Sequence, residues 1–186
     1  MRRRLLALLA PLSLLALAQS GDYYPLKTGL RWTYSNGEVQ EVSATRTING
    51  RSVAVLTHST GGKVTQEDYL AQAREGLLLH GSQAGDKLTW YEQPLLVYPA
   101  APLYPGARWS TTTRAGDGSS VSLAARVLGS EGVVTPAGRF NAFVVRTTVV
   151  TSSGGSSLTD SYFVAAVGTV RFVTQDGSTV DLVERK

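Results

Sequence analysis

The residues best suited to chemistry in this chain are few. His58 and His80 are its only histidines, and cysteine is absent. A transition-metal site needs several His, Cys or carboxylate ligands brought together. His58 and His80 fall in separate predicted strands, so they read as isolated surface or edge residues and no metal site is expected. The lack of cysteine excludes disulfides, thiolate ligands, a thiol nucleophile and a lipid-modified cysteine at the start of a processed chain. A serine nucleophile needs a base and an orienting carboxylate, and no Gly-x-Ser-x-Gly elbow stands between a strand and a helix. Paired carboxylates are the other route to hydrolysis. Glu67 and Asp68 are adjacent, however, and adjacent strand residues point to opposite faces, so the two cannot act together. Gly154-Gly155-Ser156-Ser157 lacks the lysine and the following helix of a phosphate loop and reads as a turn. The expectation is a non-enzymatic protein without cofactors, with a hydrolase as a distant third reading.

Aromatic residues are the remaining candidates, because Trp and Tyr give large amphipathic contacts to apolar ligands. Trp32 and Trp109 are expected to anchor the core. Trp90, Tyr91, Leu95, Leu96 and Tyr98, beside a proline-bearing stretch from Gln93 to Pro105, are the proposed ligand-binding group. They should border an apolar trough with no charged residue at its centre. A lipid, another hydrophobic ligand or a second envelope protein is the partner this implies.

The first eighteen residues have the design of a secretory signal. Arg2, Arg3 and Arg4 precede an apolar run from Leu5 to Leu17, and Ala16-Leu17-Ala18 supplies the small-x-small cleavage pattern. The mature chain would begin at Gln19, placing the protein in the periplasm, the cell envelope or the exterior. The apolar run is shorter than the roughly 20 residues of a spanning helix, and no transmembrane segment is expected in the mature chain. Of the 18 lysines and arginines, three lie in this segment, leaving 15 against 14 acidic residues. A near-neutral mature chain removes the main support for nucleic-acid binding.

The elements that would position these residues are strands. Asn36-Gly37, Asn49-Gly50, Gly61-Gly62, Asp117-Gly118, Gly154-Gly155 and Asp176-Gly177 are turn dipeptides that tolerate positive φ. Between them, segments rich in Val, Thr, Tyr and Ile alternate with a period of two. In Glu41 to Ile48 the alternation puts Val42, Ala44 and Ile48 on one face; Phe143, Val145 and Val149 share a face in the later segment. Thr65 to Leu77 has some helical spacing but is expected to be mostly strand, because a similar segment later in the chain reads as strand. The prolines between Gln93 and Pro105 bar a central strand there, since proline cannot donate to the ladder, and the stretch reads as a crossover.

The chain also matches itself. Pro25-Leu26-Lys27-Thr28-Gly29-Leu30-Arg31-Trp32 aligns with Pro102-Leu103-Tyr104-Pro105-Gly106-Ala107-Arg108-Trp109, sharing Pro, Leu, Gly, Arg and Trp in register. With small gaps, Asp68 to Ala73 and Gly76 parallel Asp160 to Ala166 and Gly168. Two related meander units are expected, 19–98 and 99–186, packed as one domain.

Three pieces resemble a broad group of secreted bacterial β proteins of unknown function: Tyr24-Pro25-Leu26-Lys27-Thr28-Gly29-Leu30-Arg31-Trp32-Thr33-Tyr34, Thr135 to Ala142, and Tyr162 to Val170. The group's mature start has the form Tyr-x-Pro-Leu-x-x-Gly-x-x-Trp-x-Tyr, and its architecture is similar to half-barrel lipoprotein carriers. The resemblance implies an all-β fold, a highly curved antiparallel sheet or open barrel with little helix beyond the signal. It also implies an envelope location, and no reaction. The expected role is binding of an apolar or amphipathic ligand, or of a partner segment, on that sheet. The alternative is a structural or interaction protein of the cell surface without a ligand pocket.

Overall fold

A computed structural model describes residues 23–186; the expected signal, its cleavage site and the mature start at Gln19 lie outside the described residues. The described chain is all-β. The first six strands are β1 (Arg31–Tyr34), β2 (Glu38–Ile48), β3 (Arg51–Thr60), β4 (Lys63–Ala73), β5 (Gly76–Ala84) and β6 (Lys87–Pro99). The second six are β7 (Arg108–Arg114), β8 (Ser120–Thr135), β9 (Gly138–Thr151), β10 (Ser156–Val164), β11 (Gly168–Thr174) and β12 (Thr179–Arg185). They form one antiparallel sheet in the order β6-β5-β4-β3-β2-β1-β12-β11-β10-β9-β8-β7. Each half is thus an uninterrupted meander, and the halves join where β1 pairs with β12, with Trp32 opposite Arg185. The sheet curls until its two ends, β6 and β7, meet in a nearly closed barrel with one unsealed seam.

That seam is held by substitutes for a ladder. Tyr91 and Ala115 make a single isolated bridge, and Gly116 N–H donates to Trp90 O (3.1 Å). Elsewhere threonine hydroxyls act as acceptors: Gln93 N–H donates to Thr113 Oγ1 (3.1 Å) and Leu96 N–H to Thr111 Oγ1 (3.3 Å). Trp109 Nε1–H donates to Leu96 O and Val97 O. The stretch expected to be a crossover is therefore divided. Gln93 to Pro99 belongs to β6, an edge strand that tolerates Pro94, and only the residues after Pro99 cross to β7.

Bulges steer side chains between the faces. Between β2 and β3 the register shifts at Val42/Ala44, because Ser43 is an extra residue. The alternation expected from sequence then fails: Val42 packs inside the barrel with Trp32 and Tyr34, whereas Ala44 and Ile48 join Val53, Val55 and Tyr69 in an outer cluster. An inserted residue reverses the face of everything beyond it. Phe143, Val145 and Val149 do share one face, packed in the main core.

Several local features recur in the two halves. Gly29 N–H donates to Val42 O (2.8 Å), and Val42 N–H to Leu30 O (2.9 Å). Gly106 N–H donates to Val127 O (2.9 Å), and Val127 N–H to Ala107 O (2.9 Å). Bulges recur at Val42/Ala44 and Val127/Gly129, and at Tyr69/Leu70 and Tyr162/Phe163. The two tryptophans at matching positions differ, however. Trp32 is 5% exposed and its Nε1–H donates to Val167 O (2.7 Å), while Trp109 is half-buried because it stands at the open seam.

Candidate functional site

The barrel interior is not filled. The segment before β1 turns inward, where Tyr24 stacks on Tyr98 (5.2 Å between ring centres, 5° between planes) and lies 5.3 Å from Phe163. Its hydroxyl donates to Pro99 O (2.7 Å), and burial pushes its pKa up. This aromatic plug lines part of a cavity of about 360 Å³, walled by side chains from both halves. Such a volume is within the roughly 300–1,000 Å³ of small-molecule sites.

Strand periodicity grades the cavity from apolar to polar. Along β4 and β10 the walls run from Leu70 and Phe163 to Asp68 and Ser161, and Thr159 continues the series on β10. The positions correspond, since Leu56 pairs with Asp68 in one half and Val145 with Ser161 in the other. Leu77, Leu79, Val97 and Leu123 add to the apolar part, and Gln40, His58 and Thr147 to the polar part.

In the first half the polar part is ionic. His58 Nδ1 lies 2.9 Å from Glu38 Oε1, and Nε2 lies 3.1 Å from Asp68 Oδ2. Gln40 Nε2 donates to Glu38 Oε1 (2.9 Å) and Gln66 Nε2 to Asp68 Oδ1 (2.7 Å), fixing both carboxylates. Burial, the largest single effect on His58, works against its charge. The hydrogen bonds to Asp68 and Glu38 and their charges together outweigh it and raise the pKa to about 9. Glu38 is held below its ordinary value, chiefly by the bond to His58. At neutral pH His58 is thus an imidazolium between two carboxylate side chains, with an N–H directed at each.

This cluster replaces the expectation of an isolated edge histidine, and it puts charge on a wall of the cavity. The turn spacing alone does not specify it. Gly61-Gly62 is a two-residue turn that pairs Thr60 with Lys63, and a bulge then places His58 opposite Gln66, one same-face step from Asp68. Glu67 and Asp68 do face apart: Glu67 is bonded by Arg46 and by the outer-face Tyr69. His80 is buried on the outer side, stacked on Trp90 with ring centres 5.9 Å apart. Its pKa is lowered, first by burial and then by Arg51.

The structure distributes the five sequence-predicted binding residues over different surroundings. Tyr98 lines the cavity. Tyr91 and Leu95 pack in the same interior core as Tyr98. Trp90 is set apart, against Tyr69 and His80 in the outer cluster. Leu96 is half-buried, its backbone bonded across the seam. A bulge between Leu79 and Gly81, opposite Leu95 and Trp90, separates the two parts of β6.

No known family's sequence profile matches the chain, and no curated protein sequence does. Among solved structures, a chain from Parabacteroides distasonis named as a lipoprotein is similar at 13% identity and a TM-score of 0.47, over 88% of this chain and 98% of that one. A chain from Bacteroides fragilis, named as an exported protein with a YmcC-like fold, is similar at 14% identity and a TM-score of 0.46 over the same shares.

Proposed function

We propose that this chain is a non-enzymatic exported envelope protein that holds an apolar or amphipathic ligand inside its barrel. The observation that carries this reading is the cavity, with an aromatic plug at one part and hydrogen-bonding groups at another. An apolar chain entering it would release poorly held water, and a polar head would meet partners rather than bare hydrocarbon. The ionic cluster is poorly suited to acid–base catalysis. A general base must present a free lone pair at its working pH, whereas both nitrogens of His58 are engaged and the ring is charged. The signal-like start, Arg2 to Ala18, supports export.

Titration of the purified protein with the apolar fluorescent probe N-phenyl-1-naphthylamine tests the binding reading. Saturable binding is expected in the wild type, and loss of it in Leu123→Trp, which fills the cavity. No binding to a correctly folded wild type, or equal binding to both proteins, overturns it and favours a surface-interaction protein.

A further inference from the structure

We infer that the cavity selects an amphipathic ligand with a cationic, hydrogen-bond-donating head, an alkylammonium in preference to a carboxylate. The inference rests on the binding reading above and narrows the ligand class.

An imidazolium has two N–H donors, and those of His58 are spent on Glu38 and Asp68, so its charge is present but offers nothing to a ligand's carboxylate. No lysine or arginine lines the cavity among the described residues. Asp68, which does line it, accepts one bond at each oxygen, from His58 and Gln66. A carboxylate has about four acceptor sites, so acceptor capacity remains there. Two carboxylates against one imidazolium leave the cluster one negative charge in excess. Across the cavity, Thr147, Thr159 and Ser161 present hydroxyls that can rotate to accept or to donate and so serve either head, which leaves the discrimination to the charged cluster. An ammonium head placed here meets acceptors and opposite charge; a carboxylate head meets like charge and a histidine whose donors are taken. In a partly dehydrated space both effects exceed their strength in water.

The test compares dodecylammonium, dodecanol and dodecanoate as ligands of equal chain length at neutral pH, in a Trp90→Phe, Trp109→Phe background whose remaining tryptophan, Trp32 in the cavity wall, gives the fluorescence signal. Dodecylammonium is expected to bind at least about tenfold more tightly than dodecanoate. Asp68→Asn should reduce that ratio to less than about threefold, and His58→Gln, which removes the positive charge, should preserve or enlarge it. If the cluster only ties strands together, both variants weaken all three ligands alike, which overturns the inference. Equal or tighter dodecanoate binding by wild type overturns it without the variants and leaves the binding reading intact. Failure of all three ligands on folded protein overturns both.

Discussion

At the scale of residues, the His58 cluster couples stability to pH. The folded-state pKa of about 9 lies above the ordinary value of 6.5. The contribution of the charged His58 is therefore fully present below about pH 6.5 and is lost as pH rises through about 9. For the depressed Glu38 the sign reverses: its contribution is present above its ordinary value of 4.5 and lost as pH falls. Denaturant unfolding should show the wild type losing up to about 3 kcal/mol between about pH 6 and pH 9.5. His58→Gln should show a much smaller change over that range; an equal loss would mean that other groups set the dependence. The histidine was visible in the sequence, but its partners were not. Glu38 and Asp68 are far from it along the chain, and the bulge that brings Asp68 within reach depends on packing rather than on turn chemistry.

At the scale of elements, the seam and the close approaches decide stability. Thr113 is buried and accepts from Gln93 N–H, and Thr111 accepts from Leu96 N–H. Thr113→Val keeps the shape and removes the acceptor, at an expected cost of about 1–3 kcal/mol. Hydrogen exchange should accelerate at Gln93 with little change in the β8–β9 ladder; unchanged protection at Gln93 would show that the hydroxyl does not hold the seam. Gly76 has φ of +139°, and a Cβ there would come within 2.0 Å of Tyr98 O. At Gly168 (φ +104°) the Cβ would meet Trp32 Nε1 at 3.0 Å. A backbone atom cannot swing away as a side chain can, so Gly76→Ala should lower the melting temperature more than Gly168→Ala; the reverse order would contradict the packing described. Strand existence and most turns were legible from Gly and Asn pairs and from two-residue alternation. The faces are legible only as far as the nearest bulge, so Val42 and Ala44 part to opposite sides, and Trp90 lies in the outer cluster while Tyr98 lines the cavity.

At the scale of the whole molecule, the shared Pro-Leu-Gly-Arg-Trp pattern coincides with shared hydrogen bonds and bulges, and we propose that the two meanders descend from one duplicated unit. The sequence made the meander order readable because each half carries its own turn signals, and curvature followed from strand number. Closure did not: a sheet of this length can end open or shut, and the outcome rests largely on threonine and tryptophan side chains of β7 bonded to the backbone of β6. The halves have diverged along the cavity wall, with His58 and Asp68 in the first standing where the second has Thr147 and Ser161. Methyl NMR of leucine-labelled protein titrated with dodecylammonium tests the central claim, an interior binding cavity, most directly. Saturable shifts are expected at Leu56, Leu70, Leu77, Leu79 and Leu123 in the cavity wall, with the exposed Leu88 and Leu128 unmoved. Shifts confined to Leu88 and Leu128, or none at any leucine, would contradict it.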